Sequence, residues 1–265
     1  MIDIHAHILP GIDDGPATMD ESVEICRMAA SNGTTSIVAT PHFNPGIYET
    51  TSAKIFELIN ELETRLEQEK INLRILPGAE VLLSPELITY MKKEEYLTIN
   101  RSGRYVLVEL PPHLVPPHWD TFLMTMLDAG IVPILAHPER NAWFMNNPAA
   151  LYQVVTKGAM VQMTAMSITG KFVEDIQRFS IFLLEHNLAH VIATDTHSIF
   201  YRPPLLSEAV KTAENIIGKE RANDLVTTMP AAIIDGRQIS LPPPVEFQQK
   251  KVNTWFQRLT PFLKT

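Results

Sequence analysis

Short apolar runs rich in β-branched residues alternate along this chain with amphipathic helical patterns, and that alternation restricts the fold more than any other feature. Seven runs read as strands: residues 2–5, 36–40, 73–80, 105–109, 132–137, 159–163 and 190–195. Helical patterns lie between them. Residues 19–32 begin with the capping box Thr18-x-x-Glu21 and stop at Gly33. Ile55, Leu58, Ile59, Leu62 and Leu66 mark one face of a helix near 52–69. Ser84-Pro85-Glu86 opens another, a cap followed by proline at the first helical position. Further helices fit 119–129, which ends at Gly130, then 149–157, 173–186, 206–217 and 220–228. Strand, helix and strand in strict succession need crossover connections, hence a parallel sheet. Seven such units predict an α/β fold, a closed or nearly closed TIM-like barrel, as a single domain over residues 1–240.

A chain of 265 residues is long enough for one large core, and 45% hydrophobic with 20% charged residues is an ordinary globular composition. A net charge of −8 argues against a nucleic-acid surface. No apolar run reaches 18 residues, so membrane insertion is not expected. The opening Met-Ile-Asp-Ile-His has neither a basic nor an apolar leader region, which points to the cytoplasm. The single cysteine, Cys26, excludes an internal disulfide and a CxxC zinc site. It falls inside the first helical pattern and reads as a core thiol rather than a nucleophile.

Histidines and carboxylates recur where the strand runs end. His5 and His7 close the first run, His42 follows the second, Glu80 closes the third and Glu109 the fourth. His137 closes the fifth, and Asp195 closes the seventh with His197 two residues on. Asp14 lies in the loop after the first run. Strand side chains alternate with period two, so an H-x-H at a strand end can aim both imidazoles to one side. Carboxyl ends of strands are where barrels build their sites. Each residue alone could be a capped or solvated group, but several carboxylates gathered in one place repel unless cations compensate them. Five histidines and four carboxylates without a thiolate exceed what one zinc needs and suit two or three divalent ions. Nitrogen and oxygen donors admit Mn, Fe, Co or Zn. Such a centre favours dianionic phosphate esters. Arg140 and Arg202 lie close after His137 and His197 and could grip phosphate oxygens. His113, His118, His186 and His190 lie away from strand carboxyl ends and read as surface or capping groups, while Met160, Met163 and Met166 read as interior packing.

Asp3-Ile4-His5-Ala6-His7-Ile8-Leu9-Pro10-Gly11-Ile12-Asp13-Asp14-Gly15-Pro16 resembles the opening of one branch of the polymerase and histidinol phosphatase (PHP) superfamily. That branch holds the metal-dependent bacterial tyrosine-protein phosphatases of capsule and exopolysaccharide gene clusters. Ala39-Thr40-Pro41-His42, Gly78-Ala79-Glu80, His137-Pro138-Glu139-Arg140 and Ala193-Thr194-Asp195-Thr196-His197 resemble it too, in the same order, and the likeness runs to about Pro230. The resemblance implies a distorted (β/α)7 barrel of the PHP type with three metal ions, manganese expected first. His5, His7, Glu80 and Asp195 would hold one ion. Glu80, Glu109 and His137 would hold a second, with Glu80 bridging. Asp14, His42 and His197 would hold the third. Arg140 matches the branch's phosphate-binding arginine, and Arg202 is its expected companion.

The expected function is therefore hydrolysis of phosphotyrosine by a metal-bridging hydroxide, without a phosphocysteine. The expected substrate is an autophosphorylating bacterial tyrosine kinase that controls capsule or exopolysaccharide synthesis. A small-molecule phosphatase such as histidinol-phosphatase and a non-catalytic metal-binding regulator are the alternatives. Residues 241–265 read as a Pro-rich linker, Leu241-Pro242-Pro243-Pro244, and a C-terminal amphipathic helix bearing Val252, Trp255, Phe256, Leu259 and Phe262. That helix could pack back on the barrel, contact a subunit of a homo-oligomer or another partner, or lie on a membrane surface.

Overall fold

The computed structural model describes residues 1–93, 97–111 and 115–247. Its strands are β1 (Ile2–Ala6), β2 (Ser36–Ala39), β3 (His42–Phe43), β4 (Arg74–Pro77), β5 (Glu80–Leu82), β6 (Tyr105–Glu109), β7 (Val132–Ala136), β8 (Met160–Thr164) and β9 (Val191–Ala193). Every pairing between them is parallel. One sheet has the order β1-β2-β4 and the other β3-β5-β6-β7-β8-β9.

The expected run 73–80 is broken and the run 36–40 is followed by a short additional strand, and both breaks have a local cause. Pro41 has no amide to donate to a ladder and separates β2 from β3. Pro77-Gly78 separates β4 from β5. A Cβ at position 78 would lie 2.6 Å from Val38 Cγ1, so only glycine allows this close passage. Glu80 consequently opens β5 instead of closing a long strand. The chain crosses twice from the first sheet into the second through these breaks. At the other margin Ala6 bridges Thr196 in parallel, and the Asp195 amide donates to the His5 carbonyl at 2.8 Å.

The helices are α1 (Met19–Ser31), α2 (Ser52–Gln68), α3 (Leu87–Met91), α4 (Trp119–Asp128), α5 (Ala142–Asn146), α6 (Pro148–Thr156), α7 (Ala165–Ile168), α8 (Glu174–Glu185), α9 (Ser207–Ile217), α10 (Lys219–Asp224) and α11 (Thr228–Ile234). The capping box on α1 is present. Thr18 Oγ1 accepts from the Glu21 amide and Glu21 Oε2 accepts from the Thr18 amide, at 3.3 and 3.2 Å. The expected apolar face of α2 is buried throughout. The proline-led helix expected at residue 84 starts later, at Leu87, and has no side-chain cap bond. The last expected helix is two helices, α10 and α11.

Period-two alternation sorts the strand side chains into two cores. Ile37, Ile75, Val106, Val108, Leu135, Val161 and Ile192 face the helices. Ile4, Val38, Leu76, Leu107, Ile134, Met160 and Val191 form an inner cluster drawn from both sheets. Ile233 and Ile234 of α11 join that cluster. The Tyr105 hydroxyl donates to the Arg237 carbonyl at 2.6 Å and Asn100 Nδ2 to the Ile234 carbonyl at 2.9 Å, so α11 covers the amino-terminal ends of the strands.

The Pro-rich segment lies along α8. Asn187 Nδ2 donates to the Pro243 carbonyl and the Val245 amide to the His186 carbonyl, at 2.8 and 2.9 Å. Phe247 packs edge-on against Phe182. The expected amphipathic helix beyond it lies outside the described residues, as does His113. His118 is exposed and His186 Nδ1 bonds the Phe182 carbonyl. His190 differs from expectation: it is buried, with Nδ1 accepting from the Val161 amide at 3.0 Å.

Candidate metal centre

The parallel topology brings every expected site residue to one end of the sheets. His5 lies in β1 and His7 one residue beyond it. His42 and Glu80 open β3 and β5, which are paired in register with each other. Glu109 ends β6. His137 and Asp195 follow β7 and β9 with φ of 33° and 53°, a left-handed conformation that costs a non-glycine residue on the order of 1 kcal/mol or more. Strain of this kind at two residues of one cluster is typical of sites where the surroundings hold side chains for chemistry.

Glu80, about 1% exposed, is the hub. Its Oε2 lies 3.3 Å from His5 Nε2, 3.2 Å from His7 Nε2 and 3.2 Å from His42 Nδ1. Its Oε1 lies 2.9 Å from His137 Nε2. Asp195 Oδ1 lies 3.4 Å from His5 Nε2 and 3.6 Å from His7 Nε2. Asp14 Oδ1 lies 3.4 Å from His42 Nε2 and 3.2 Å from His197 Nε2. Glu109 Oε2 stands 3.7 Å from His42 Nδ1. Three sets of donor atoms each fit within 4.8 Å: His7, Asp14, His42 and His197; His5, His7 and Glu80; and His42, Glu80 and Glu109. These sets, found among the described residues, overlap the expected three-ion division without reproducing it: neither His137 nor Asp195 falls in any of them.

The charges are those of a cation site. Burial alone would push the Glu80 and Asp195 carboxyls up, but the imidazoles around them, and for Asp195 also Arg202 and Arg140, hold both well below the usual carboxylate range. Burial would lower His7, yet its bonds to Asp13 and Glu80 push it up to about 10. Burial, then the neighbouring Glu80 charge, pushes Glu109 up to about 7. The buried carboxylates therefore depend on positive charge beside them, which divalent ions would supply. Among the described residues, buried Asp195 Oδ1 and His197 Nε2 have no hydrogen-bond partner of good geometry. Lone-pair donors left unsatisfied inside a ring of imidazoles and carboxylates fit a metal.

Both arginines meet at one atom. Arg140 Nη1 and Arg202 Nη1 each donate to Asp195 Oδ2, the latter at 2.9 Å. Arg202 Nη2 lies 3.9 Å from Asp14 Oδ2. Arg140 lies over the Phe172 ring, 5.4 Å from its centroid. A guanidinium has five N–H donors, so each keeps several for a phosphoryl group.

Residues 1–235 match the model of the family described as capsular polysaccharide synthesis, CpsB/CapC. This chain belongs to the CpsB/CapC family. It is 35% identical over 256 residues to the tyrosine-protein phosphatase YwqE of Bacillus subtilis (strain 168), covering 97% of this chain and 100% of that protein. It is 31% identical over 244 residues to the tyrosine-protein phosphatase CpsB of Streptococcus agalactiae, covering 90% and 100%. The solved structure described as YwqE from Bacillus subtilis and CpsB from Streptococcus pneumoniae, unique metal-dependent tyrosine phosphatases, superposes with a TM-score of 0.89. That match is 36% identical and covers 94% of this chain and all of the other. A phosphotriesterase from Mycobacterium tuberculosis, at 10% identity and a TM-score of 0.55, shares the fold alone. The family expected from the opening motif is borne out.

Two residues that matter to this CpsB/CapC chain were not expected. Asp13 Oδ2 bonds His7 Nδ1 at 2.7 Å and accepts from the His42 amide at 3.1 Å, while Oδ1 accepts from the Gly15 amide. Gln162 Oε1 bonds His5 Nδ1 at 2.9 Å and accepts from the His137 amide at 3.3 Å. Each fixes one imidazole and holds the backbone of another candidate ligand. The signal for Gln162 was visible: one amide in an otherwise apolar strand must have a partner. Asp13 was harder to single out, because beside Asp14 either carboxylate could serve as donor.

Proposed function

We propose that this chain is a metal-dependent protein-tyrosine phosphatase acting on an autophosphorylating bacterial tyrosine kinase of capsule or exopolysaccharide synthesis, a role that would place it in the cytoplasm. The observation that carries this reading is Glu80, whose two oxygens lie within 3.3 Å of four imidazoles in a chain of the CpsB/CapC family. The proposed metal ligands are His5, His7, Asp14, His42, Glu80, Glu109, His137, Asp195 and His197. Three divalent ions, manganese first, are the proposed complement. Residues 1–240 are proposed as one distorted (β/α)7 barrel. The inner core shared by both sheets and the Ala6–Thr196 bridge support that reading.

Bound ions would supply Lewis-acid polarisation and a water of lowered pKa. The chain's own groups do the remainder. Asp195 holds the Arg140 and Arg202 guanidiniums side by side, and their remaining N–H groups bind and orient the phosphoryl oxygens. Fully buried His5 and His7 and the nearly buried Glu80 keep bulk water from the floor of the site. Cys26 takes no part: it is buried inside α1, and burial pushes its thiol up to about 12, so thiolate is negligible at neutral pH. The test is a steady-state comparison of phosphotyrosyl peptide with phosphoseryl peptide and histidinol phosphate in the presence of manganese. Preference for the phosphotyrosyl peptide supports the reading, and preference for histidinol phosphate overturns it.

A further inference from the structure

The loop after His197 carries two aromatic side chains that packing does not explain. Phe200 and Tyr201 are 82% and 84% exposed, more than any other large hydrophobic residue of the described chain. Loose exposure is not the reason, because the loop is braced from within. The His197 amide and the Thr196 hydroxyl both donate to the Arg202 carbonyl, at 3.2 and 2.6 Å, which ties its two ends together. Ser198 Oγ accepts from the amides of Phe200 and Tyr201, at 3.3 and 3.0 Å. Ile199, just before the two rings, packs against the core. The rings are presented on a preformed support, which lowers the entropy lost on binding.

They line a cleft of about 670 Å³ between this loop and α1. Ile25, Pro16 and Ala17 form its apolar opposite side, and Asp14, His197 and Arg202 stand at its inner edge. The cleft therefore continues directly from the residues proposed to bind phosphate. Asp20 and Glu24 of α1 lie on its rim, exposed and only in surface ion pairs with Arg65 and Arg27.

We propose that this cleft is a substrate subsite for the polypeptide beside the phosphotyrosine, and that Phe200 and Tyr201 bind an aromatic or large aliphatic neighbour there. The inference rests on the phosphatase reading for what occupies the inner edge. Offset or edge-on aromatic packing against preformed rings contributes both affinity and selectivity. The carboxylate rim makes an acidic neighbour unfavourable by like-charge repulsion. Small phosphate esters engage the arginines without reaching Phe200 or Tyr201, so their turnover is independent of those two rings.

The test separates this inference from the phosphatase reading by measuring binding as well as turnover. Fluorescence anisotropy with the manganese-loaded full chain would use peptides bearing a non-hydrolysable phosphonomethyl-phenylalanine flanked by Phe, Gly or Glu. The Phe-flanked peptide should bind roughly 10-fold tighter than the Gly-flanked one, and the Glu-flanked one weakest. In Phe200→Ser/Tyr201→Ser that gap should close, with p-nitrophenyl phosphate turnover unchanged. Equal binding of the Phe- and Gly-flanked peptides by the wild type, or a gap that survives the double substitution, overturns the subsite. If the gap closes as expected while no phosphate ester is hydrolysed, the subsite stands and the phosphatase reading falls.

Discussion

His5 Nε2 and His7 Nε2 lie 3.2 Å apart. Each ring binds an oxygen through its other nitrogen: Gln162 Oε1 for His5 and Asp13 Oδ2 for His7. An amide oxygen or a carboxylate in that place selects the tautomer with hydrogen on Nδ1. Both Nε2 lone pairs then face one small volume beside Glu80 Oε2, an arrangement that repels itself unless a cation or a proton fills it. Asp13→Leu should weaken manganese binding about 10- to 100-fold in calorimetric titration, the usual cost of losing such an orienting partner. Asp13→Asn, which keeps an oxygen acceptor, should recover part of that loss. Equal affinity in wild type and Asp13→Leu would contradict the orienting role.

Arg140 and Arg202 converge on Asp195, but only Arg140 also lies over an aromatic ring, Phe172. Arg140→Ala should therefore lower kcat/KM for phosphotyrosyl peptide by roughly 100-fold, about 2.7 kcal/mol of transition-state stabilisation. Bound manganese measured by elemental analysis should stay at the wild-type level. Loss of metal together with activity would recast Arg140 as a support for Asp195 rather than a phosphate ligand.

Cys26 packs in the core from α1, where burial alone pushes its thiol up to about 12. Cys26→Ala should keep kcat/KM within about twofold and lower thermal stability by about 1 kcal/mol, the cost of a small cavity. Loss of turnover in a variant that remains folded by circular dichroism would point to a thiolate mechanism.

His190 gives a pH dependence with a definite sign. Burial, then the nearby Arg221 charge, lowers its pKa to about 4 from the ordinary 6.5. Between those values the unfolded chain binds a proton that the folded chain does not. The stability from the neutral folded ring is thus complete above pH 6.5 and is lost as pH falls toward 4, by about 2 kcal/mol at pH 5. Melting curves in chelator at pH 7.5 and pH 5 should show a steeper fall for the wild type than for His190→Asn. That substitution keeps an acceptor for the Val161 amide and removes the titration. Parallel falls would show that His190 is not the sensor.

The candidate site was legible in the sequence because its residues follow apolar runs, and parallel topology turns "end of a run" into "same end of the sheet". That logic placed His5, His7, His137 and Asp195 at one end of the sheets. It failed where the backbone departs from a simple strand. Glu80 opens β5 because Pro77-Gly78 breaks the run, and the need for glycine at 78 comes from Val38 on the neighbouring strand, a contact no local pattern contains. His190 was misplaced at the surface for a related reason. It opens the seventh run, away from the carboxyl end, and read as a surface or capping group, while the Val161 amide on β8 supplies the partner that lets it be buried. Asp13 and Gln162 act through other side chains, and their roles exist only once the strands are assembled.

The central claim is that the His and carboxylate cluster around Glu80 holds the ions on which phosphotyrosine hydrolysis depends. The most direct measurement is phosphate release from a phosphotyrosyl peptide by chelator-stripped protein, before and after add-back of Mn, Fe, Co or Zn, for wild type and Glu80→Gln. The stripped wild type should be inactive and manganese should restore it. Glu80→Gln should stay at least about 100-fold below the restored rate and bind less metal. Full activity in the stripped protein, or a Glu80→Gln variant that recovers wild-type turnover and metal content, would contradict the account.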